Sequence, residues 1–305
     1  MNCRLVKPNT KILLNTYTNG NTTVSIYSDG TKVRSTEDDE FKPEFPENID
    51  VKITNRCRWN CPFCHEASTP LGDHGNINHP IFDSLVPGTE MAIGGGNIFE
   101  HPDIDDFLLK LKARGIIANI TINQHDMKIA QRAHKVNEWM KANLVYGVGV
   151  SWDGTDISDI IKDIYNPENL VIHTIAGVHD LNKLTNKNRL KVLILGYKTL
   201  RRGVNYKQAN NVEEKIKLLE NNLSSLLTKF KVLSFDNLAL EQLNVKNYVT
   251  AEVWDSYYMG DDGTHTMFID LPNNQFASSS TSTIRYDLTN EIDIRNIFNT
   301  VLNEK

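Results

Sequence analysis

Three cysteines within a stretch of eight residues carry the clearest chemical signal in this sequence. Cys57, Cys61 and Cys64 follow the spacing C-x3-C-x2-C, whereas the fourth cysteine, Cys3, is remote from them. Thiolates so close in sequence can converge on one metal centre, because a short loop loses little conformational entropy when it presents them together. Pro62 stiffens the turn between the second and third sulfur. The three thiols are therefore candidate metal ligands.

The residues alone leave three interpretations of this cysteine loop open. The first is a group of buried structural thiols. The second is a zinc site, but structural zinc usually takes two pairs of ligands. This chain has no second cysteine pair, and His65 directly follows Cys64, too close to complete a tetrahedron easily. The third is an iron–sulfur cluster held by three cysteines, in which one iron stays open and reactive.

Two predicted strands flank the chemistry-bearing loops. The alternating apolar run 49–53 predicts a strand that leads directly into the cysteine loop. A second predicted strand, residues 90–93, ends in the run Gly94, Gly95, Gly96 and Asn97. Glycines at a strand end let a ligand approach the backbone closely, on the edge where parallel α/β sheets bind ligands. A tight strand-to-helix turn is the simpler explanation of this run when it is taken alone.

Strands and helices then alternate along the middle of the chain. Further strands are predicted at 116–123, 145–151, 170–174, 190–195 and 232–235. Helices are predicted at 127–141, 157–164 and 178–184, with a long helix over 216–230. This alternation predicts parallel strands joined by right-handed crossovers. Six or seven such units are too few for a closed eight-fold barrel. The predicted fold class is α/β, with a partial (β/α)6-type parallel barrel over residues 47–245.

The two ends of the chain break this pattern. Two β-rich runs flank Asn19-Gly20, a further turn falls at Asp29-Gly30, and an acidic, proline-bearing segment follows. Residues 1–46 are therefore predicted to be an N-terminal β meander and linker. A hairpin across Pro272 and a helix over 290–302 are predicted in the final segment. Residues 246–305 are thus expected to form an extension that covers or flanks the barrel.

Composition excludes several classes of protein. Hydrophobic residues make up 40% of the chain and charged residues 23%, as in ordinary globular domains. No apolar run approaches the roughly 20 residues that span a bilayer, and the N-terminus lacks a signal-peptide core. The net charge is −5, without a Lys/Arg block longer than a pair, which argues against a nucleic acid partner. Clustered thiols suit a reducing compartment, so we expect a cytoplasmic protein without a membrane partner.

The cysteine loop resembles that of the radical S-adenosylmethionine (radical SAM) superfamily. The resemblance rests on the C-x3-C-x2-C spacing, on Phe63 before the last cysteine, and on the strand before the first. The run from Gly94 through His101-Pro-Asp-Ile is similar to the family's Gly-Gly-Glu-Pro segment, which binds the amino group of SAM's methionine moiety. Asn97 departs from the family, which usually has Glu there, and Ile98 replaces Pro. The resemblance covers roughly residues 48–240.

The resemblance implies a ligand set. Cys57, Cys61 and Cys64 would hold one 4Fe–4S cluster. The implied SAM contacts are Phe63, which would shield the cluster and pack near adenine, and Gly94, Gly95, Gly96, Asn97, Asn123, Ser151, Asp153 and Lys198. Helix capping explains the strand-end residues Asn123, Ser151 and Asp153 equally well, and Lys198 is equally a surface charge. His173, within an apolar strand, is expected to be a hydrogen-bonded core histidine.

The resemblance also implies an activity. A member of this family cleaves SAM reductively to a 5′-deoxyadenosyl radical, which abstracts hydrogen from a substrate, here a small molecule or a peptide. The electron would come from a donor such as flavodoxin or ferredoxin. No cysteine follows Cys64, so thiolates cannot hold auxiliary clusters. The alternatives are a non-catalytic zinc-binding module and a degenerate radical SAM scaffold that binds a cluster without turnover, the latter suggested by Asn97.

Overall fold

The computed structural model describes residues 11–184 and 187–304 of the chain. Cys3 and the first ten residues of the predicted meander segment lie outside the described residues. Within the described part, the strands form two sheets, one of three strands and one of ten. The prediction of an α/β fold is therefore confirmed.

The small sheet is the N-terminal meander. Its strands are β1 (Leu13–Asn19), β2 (Thr22–Tyr27) and β3 (Lys32–Ser35), paired antiparallel in the order β1-β2-β3. Val24 and Ile26 of β2 pack against Ile117 and Tyr146, at the start of the third strand of the large sheet and just before its fourth. The meander therefore contacts the amino ends of the parallel strands, opposite the end from which the cysteine loop leaves.

The large sheet is parallel over most of its width. Its strands are β4 (Asn48–Thr54), β5 (Glu90–Gly95), β6 (Ile117–Asn123), β7 (Gly147–Ser151), β8 (Leu170–Ile175), β9 (Lys191–Leu195), β10 (Val232–Phe235), β11 (Thr266–Asp270), β12 (Gln275–Ala277) and β13 (Tyr286–Asp287). Their order is β10-β9-β8-β7-β6-β5-β4-β11-β12-β13. Strands β4 to β11 pair in parallel, and β12 and β13 are antiparallel. No pairing joins β10 to β13 in the described chain, so this hydrogen-bonded sheet has two free edges.

Helices connect the parallel strands. The α-helices are α1 (Ile104–Ala113), α2 (Gln124–Met127), α3 (Ala130–Lys141), α4 (Ser158–Asp163), α5 (Arg202–Ala209), α6 (Val212–Asn221), α7 (Leu223–Leu226), α8 (Asn237–Gln242), α9 (Ala251–Tyr257) and α10 (Ile294–Leu302). Among the described helices, none is both long enough and apolar enough to cross a membrane.

The two faces of the large sheet differ. One face joins the helices in a continuous apolar core through side chains such as Val51, Ile93, Ile120, Val150, Ile172 and Ile194. Alternate positions face the other way and are polar or small and partly accessible, including Asp50, Asn119, Thr121, Ser151 and His173. This alternation follows from the period-2 geometry of a strand. Since the crossover helices cover one face, the polar face remains free to line a site.

Two predicted helices differ from the structure. Residues 178–184 form a turn and a short 3-10 helix, Leu181–Lys183, because the Asp180 carboxylate accepts a hydrogen bond from the Asn182 backbone at 2.9 Å and caps a tight turn. The long helix predicted over 216–230 is interrupted at Asn222, between α6 and α7. The Asn222 amide donates to the Leu218 carbonyl at 2.7 Å, where it competes with the helical backbone pattern.

The predicted C-terminal hairpin joins the large sheet. Strand β11 lies beside β4 in parallel, and β12 and β13 continue the sheet outward. Strands β11, β12 and β13 thus build one side of the sheet that carries the cysteine loop. The division of the chain at residues 46 and 245 stays a prediction.

A buried carboxylate ties the meander to the large sheet. Glu47 is almost fully buried, and its oxygens lie 2.8 Å from Arg34, 3.4 Å from Lys32 and 3.4 Å from the His265 ring. Burial by itself raises the pKa of Glu47, but the His265 ring and the two cations outweigh burial and lower the pKa to about 2. Folding therefore favours the ionised carboxylate, which joins β3, β4 and the segment before β11.

Replacing this carboxylate tests its contribution to stability. Because the folded pKa lies below the unfolded value of 4.5, the stabilisation is complete above about pH 4.5 and is lost as the pH falls through about 2. We expect Glu47→Gln to lower the free energy of unfolding at pH 7 by about 3 kcal/mol. Urea denaturation of both proteins from pH 7 to pH 3 measures the difference, which should shrink on the acid side.

The control is Glu44→Gln, whose side chain is 64% exposed and pairs with Arg295. An exposed pair contributes little, so its loss should change stability by about 0.5 kcal/mol or less. An equal effect of the two substitutions would contradict the role assigned to Glu47.

Candidate active site

The chemistry-bearing loops meet at the carboxyl edge of the parallel strands. The cysteine loop, which contains Cys57, Cys61 and Cys64, follows β4, and the glycine turn, residues 94–97, begins in the last two residues of β5. Asn123 and Ser151 are the last residues of β6 and β7 and pair directly in the sheet register. This is the edge at which parallel α/β sheets bind ligands.

The three thiols of the cysteine loop are free and half-buried. Burial and the neighbouring Cys64 and Cys57 thiols raise the pKa of Cys61 to about 11, and the Arg202 guanidinium opposes this rise. Burial likewise raises the pKa of Cys57, with a further contribution from Cys64. The thiols therefore lie close enough to affect one another, and burial favours the protonated form of Cys57 and Cys61. The Asn123 side-chain amide points at Cys61, with Nδ2 3.9 Å from Sγ.

The glycine turn is hydrogen-bonded to the base of the cysteine loop. The Gly96 N–H donates to the Thr54 carbonyl at 2.7 Å, and the Asn97 N–H donates to the Arg56 carbonyl at 2.8 Å. A Cβ at position 96 would lie 2.3 Å from the Arg56 oxygen, so only glycine permits this approach. Gly95 has φ +116, a value that favours glycine. The turn and the cysteine loop are thus one packed unit.

The Asn97 side chain is used within the protein. Its Oδ1 accepts from the Phe99 backbone at 3.0 Å, and its Nδ2 donates to Asp126 at 3.1 Å. Asp126 is buried and also accepts from the Trp59 indole at 3.1 Å and from Arg132. The Asp126 carboxylate therefore links the glycine turn, the cysteine loop and α3.

A second charged cluster holds the far end of the cysteine loop. The buried Lys52 ammonium lies 2.6 Å from Glu66 and 3.1 Å from Asp270, at the end of β11. Glu66 also pairs with Arg201 at 3.2 Å, and its other oxygen lies 3.2 Å from the His65 ring. These contacts connect the cysteine loop to the loop after β9 and to the C-terminal strands.

The remaining predicted contacts are more scattered. The Phe63 ring packs edge-on against His179 and Tyr206, with centroids 6.0 and 5.5 Å away. Asp153 accepts from the Thr155 backbone at 2.9 Å and pairs with Lys128 at 3.0 Å, so its carboxylate caps a turn. Asn123 likewise accepts from the His125 backbone at 2.9 Å, while its amide stays near Cys61. Local capping therefore accounts for much of what these side chains do.

Lys198, which follows β9, donates to the Ser280 hydroxyl at 2.7 Å, beyond the end of β12.

The expectation for His173 was wrong: in the described chain its ring makes no hydrogen bond. It covers Gly149 on the polar face, where a Cβ would lie 2.3 Å from the ring. Burial lowers the pKa of His173 to about 4, so the imidazole is neutral.

The side chains of the described residues do not form a site for a single metal ion. No group of three or more histidine, cysteine, aspartate or glutamate side chains in that part of the chain is arranged to hold one. His65, the nearest histidine in sequence, faces Glu66. A four-iron cluster is larger and attaches each thiolate to its own iron, so it does not require ligands around one point.

Comparison with known proteins gives a likeness in fold. No protein-family model and no curated protein sequence matches the chain. Among solved structures, Streptococcus suis SuiB bound to precursor peptide SuiA aligns with a TM-score of 0.55 and 13% identity, over 84% of this chain and 65% of SuiB. Another structure of Streptococcus suis SuiB aligns with a TM-score of 0.50 and 11% identity, over 95% of this chain and 87% of that one. The chain thus spans just under two thirds of the peptide-bound SuiB.

This likeness is one of fold, at low sequence identity. In this chain the cysteine loop leaves β4, the first parallel strand of the large sheet.

Sequence reasoning missed several residues around the site. Asp126, Arg132 and Glu100 hold the side of the loop near Cys57, where Glu100 pairs with Arg58 at 2.7 Å and with Arg132 at 3.1 Å. The only local signal for these carboxylate partners was the pair Arg58 and Trp59, two side chains with hydrogen-bond donors between the first two cysteines. The acceptor of Arg58 lies 42 positions away in sequence and that of Trp59 lies 67 positions away, so spacing alone did not reveal them.

The glycine turn offers a matched pair of substitutions. Gly96→Ala forces a Cβ onto the Arg56 carbonyl, and we expect it to lower the free energy of unfolding by about 2 kcal/mol. Gly94→Ala meets nothing closer than 3.9 Å and should change it by about 0.5 kcal/mol or less. Urea denaturation of both variants measures this contrast. Equal stabilities would refute the close approach at position 96.

The Asp126 carboxylate gives a second test. Asp126→Asn removes one of the two carboxylates that pair with Arg132 and weakens the bond from Trp59, so we expect a loss of about 2 kcal/mol and a red-shifted tryptophan emission. The control is Asp83→Asn, since Asp83 is 66% exposed and pairs with Arg114 at the surface. If the control matched Asp126→Asn in stability and emission, the Asp126 contacts would not hold the loop.

Proposed function

We propose that this protein is a radical SAM enzyme that holds one 4Fe–4S cluster through Cys57, Cys61 and Cys64 and cleaves SAM reductively. One observation carries the proposal. A C-x3-C-x2-C loop with free, mutually close thiols leaves the first parallel strand of a sheet whose fold matches SuiB. When bound, the cluster and SAM supply an electron and a 5′-deoxyadenosyl radical that abstracts hydrogen from a substrate.

The donor set fits a cluster better than zinc. Three thiols are present, unpaired and partly shielded from water, which suits iron–sulfur ligation. A zinc module would need a fourth ligand, but His65 lies 3.2 Å from Glu66. The described side chains also form no single-ion site. These observations weigh against the non-catalytic zinc alternative.

The protein's part in SAM binding is to present backbone and side-chain groups around the cluster. The Asn97 side chain is bound to Asp126 and to the Phe99 backbone. The methionine ammonium of SAM would therefore be bound by backbone carbonyls of Gly94, Gly95 and Gly96. The Asn123 amide lies 3.9 Å from the Cys61 sulfur, and Ser151 adjoins Asn123 in the sheet. Phe63, Asp153 and Lys198 remain proposed contacts.

A partial barrel is part of the proposal. In a flat sheet of this order, β9 and β12 would lie roughly 34 Å apart. Yet Lys198 after β9 donates to Ser280 after β12 at 2.7 Å. Asp50 on β4 is accessible to solvent at the polar face, yet the protein around it raises its pKa to about 6; Lys198 opposes this rise and Asp262 adds to it. These contacts support a sheet that curves around its polar face.

The substrate would bind on that polar face. A small molecule and a peptide are both proposed, and the binding of precursor peptide SuiA by SuiB favours a peptide by analogy. Flavodoxin or ferredoxin would supply the electron in the cytoplasm. A degenerate scaffold that binds a cluster but not SAM is the second candidate, because the residue at the family's Glu position has its side chain occupied by Asp126.

Anaerobic reconstitution tests the proposal. The protein is loaded with iron and sulfide, reduced with dithionite and mixed with SAM, and 5′-deoxyadenosine is measured by chromatography. We expect a brown protein with about four irons per chain that forms 5′-deoxyadenosine. Cys61→Ala should lose both the cluster and the product, because two thiolates leave a second iron without a protein ligand.

Cys3→Ala is the matched control and should retain both. Stoichiometric zinc without a brown chromophore would refute the enzyme. A cluster without SAM cleavage would favour the degenerate scaffold. SAM cleavage by Cys61→Ala would show that the ligand assignment is wrong.

A further inference from the structure

Arg202, from a distant part of the chain, contacts the cysteine loop before Cys61 and the chain after Cys64. It is the first residue of α5, and its guanidinium donates to the Asn60 side-chain oxygen at 2.5 Å and to the Ser68 carbonyl at 3.0 Å. Asn60 precedes Cys61 and Ser68 lies four residues after Cys64. The guanidinium therefore lies beside the segment that contains both cysteines.

The charge of Arg202 is not compensated by a carboxylate. Arg58 and Arg132 pair with Glu100, and Arg201 pairs with Glu66. Both acceptors of Arg202 are uncharged, and within the described chain it forms no ion pair. Its Nε is buried without a hydrogen-bond partner there. A buried, unpaired charged donor is costly unless an anionic acceptor completes it.

We infer that Arg202 is a positioning residue whose uncompensated charge and free Nε–H favour the reduced, more negative state of a cluster held by the cysteine loop. The inference rests on the proposed function, because it assumes a cluster on these thiols. The redox step is the gain of one electron by the cluster from dithionite or a protein donor. An added negative charge is stabilised by a nearby cation, and hydrogen bonds to the sulfurs raise cluster potentials.

Arg202 differs from the other arginines at this edge in the charge that surrounds it. Arg58 lies within the cysteine loop, but its side chain is 54% exposed and bound to Glu100. Solvent and the carboxylate screen its charge. The Arg202 guanidinium donates to Asn60 beside Cys61, whereas Asp126 and Glu100 accept from Trp59 and Arg58 beside Cys57. The field at the cysteine loop is thus set by Arg202 on one side and by paired carboxylates on the other.

Potentiometric titration followed by electron paramagnetic resonance tests this role. The reconstituted wild-type protein is compared with Arg202→Met, Arg202→Gln and Arg202→Lys, and with Arg58→Met as the matched removal of an arginine charge. We expect both uncharged variants at position 202 to lower the reduction equilibrium constant at least tenfold, about 59 mV for one electron. Arg202→Lys should recover most of this shift, and Arg58→Met should shift the potential by less than a third as much.

The outcomes separate tuning from simple support of the loop. A purely structural arginine would lower the amount of bound cluster but leave the potential of the remaining cluster unchanged, and that result overturns the inference. Weaker SAM binding at an unchanged potential also overturns it and assigns Arg202 to SAM. If Arg202→Met binds no cluster, the potential is measured on Arg202→Gln, whose side-chain amide can still donate to the Ser68 carbonyl. A wild-type protein that binds no cluster overturns the proposed function together with this inference.

Discussion

The backbone contact between the glycine turn and the cysteine loop is the constraint on which the carboxyl edge of the sheet depends. Two hydrogen bonds, from Gly96 and Asn97 to the carbonyls of Thr54 and Arg56, fix where the cysteine loop leaves β4. They require that no Cβ lie between the two chains at position 96. Because position 96 has no Cβ, the cysteine loop can pack directly against the end of β5.

Charged side chains hold the cysteine loop from both sides of this contact. Asp126 fixes Trp59 and the glycine turn on one side, and Glu66 and the arginines after β9 fix the other. Burying so many charges is costly, and pairing recovers the cost where each finds a partner. The same device, a buried carboxylate between cations, attaches the meander through Glu47 at the opposite end of the strands. Rigid placement of the thiols follows from these pairs.

Elements that arise from apolar periodicity were predicted from the sequence, whereas elements that arise from hydrogen bonds between side chain and backbone were missed. The parallel strands were predicted because apolar residues alternate with polar ones, and the core confirms that one face is buried. The helix predicted over 178–184 was wrong because the Asp180 cap favours a tight 3-10 turn over an apolar helical pattern. His173 was placed in a core because its neighbours are apolar, whereas alternation turns its ring to the polar face. Short-range competition between a side chain and the backbone is invisible to periodicity.

The sequence by itself determined the cysteine spacing, the strand before it, the glycine run at the end of β5 and the α/β alternation, since each is encoded in local sequence patterns. The tertiary structure decided that β11 lies beside β4 and that the Asn97 side chain donates a hydrogen bond to Asp126. It also decided that Arg202 contacts Asn60, which is 142 positions away in sequence. Such contacts depend on strand order and on how the loops fold over one edge. Local hydrophobic patterns fix which face of a strand is buried, but they do not specify which strand is its neighbour.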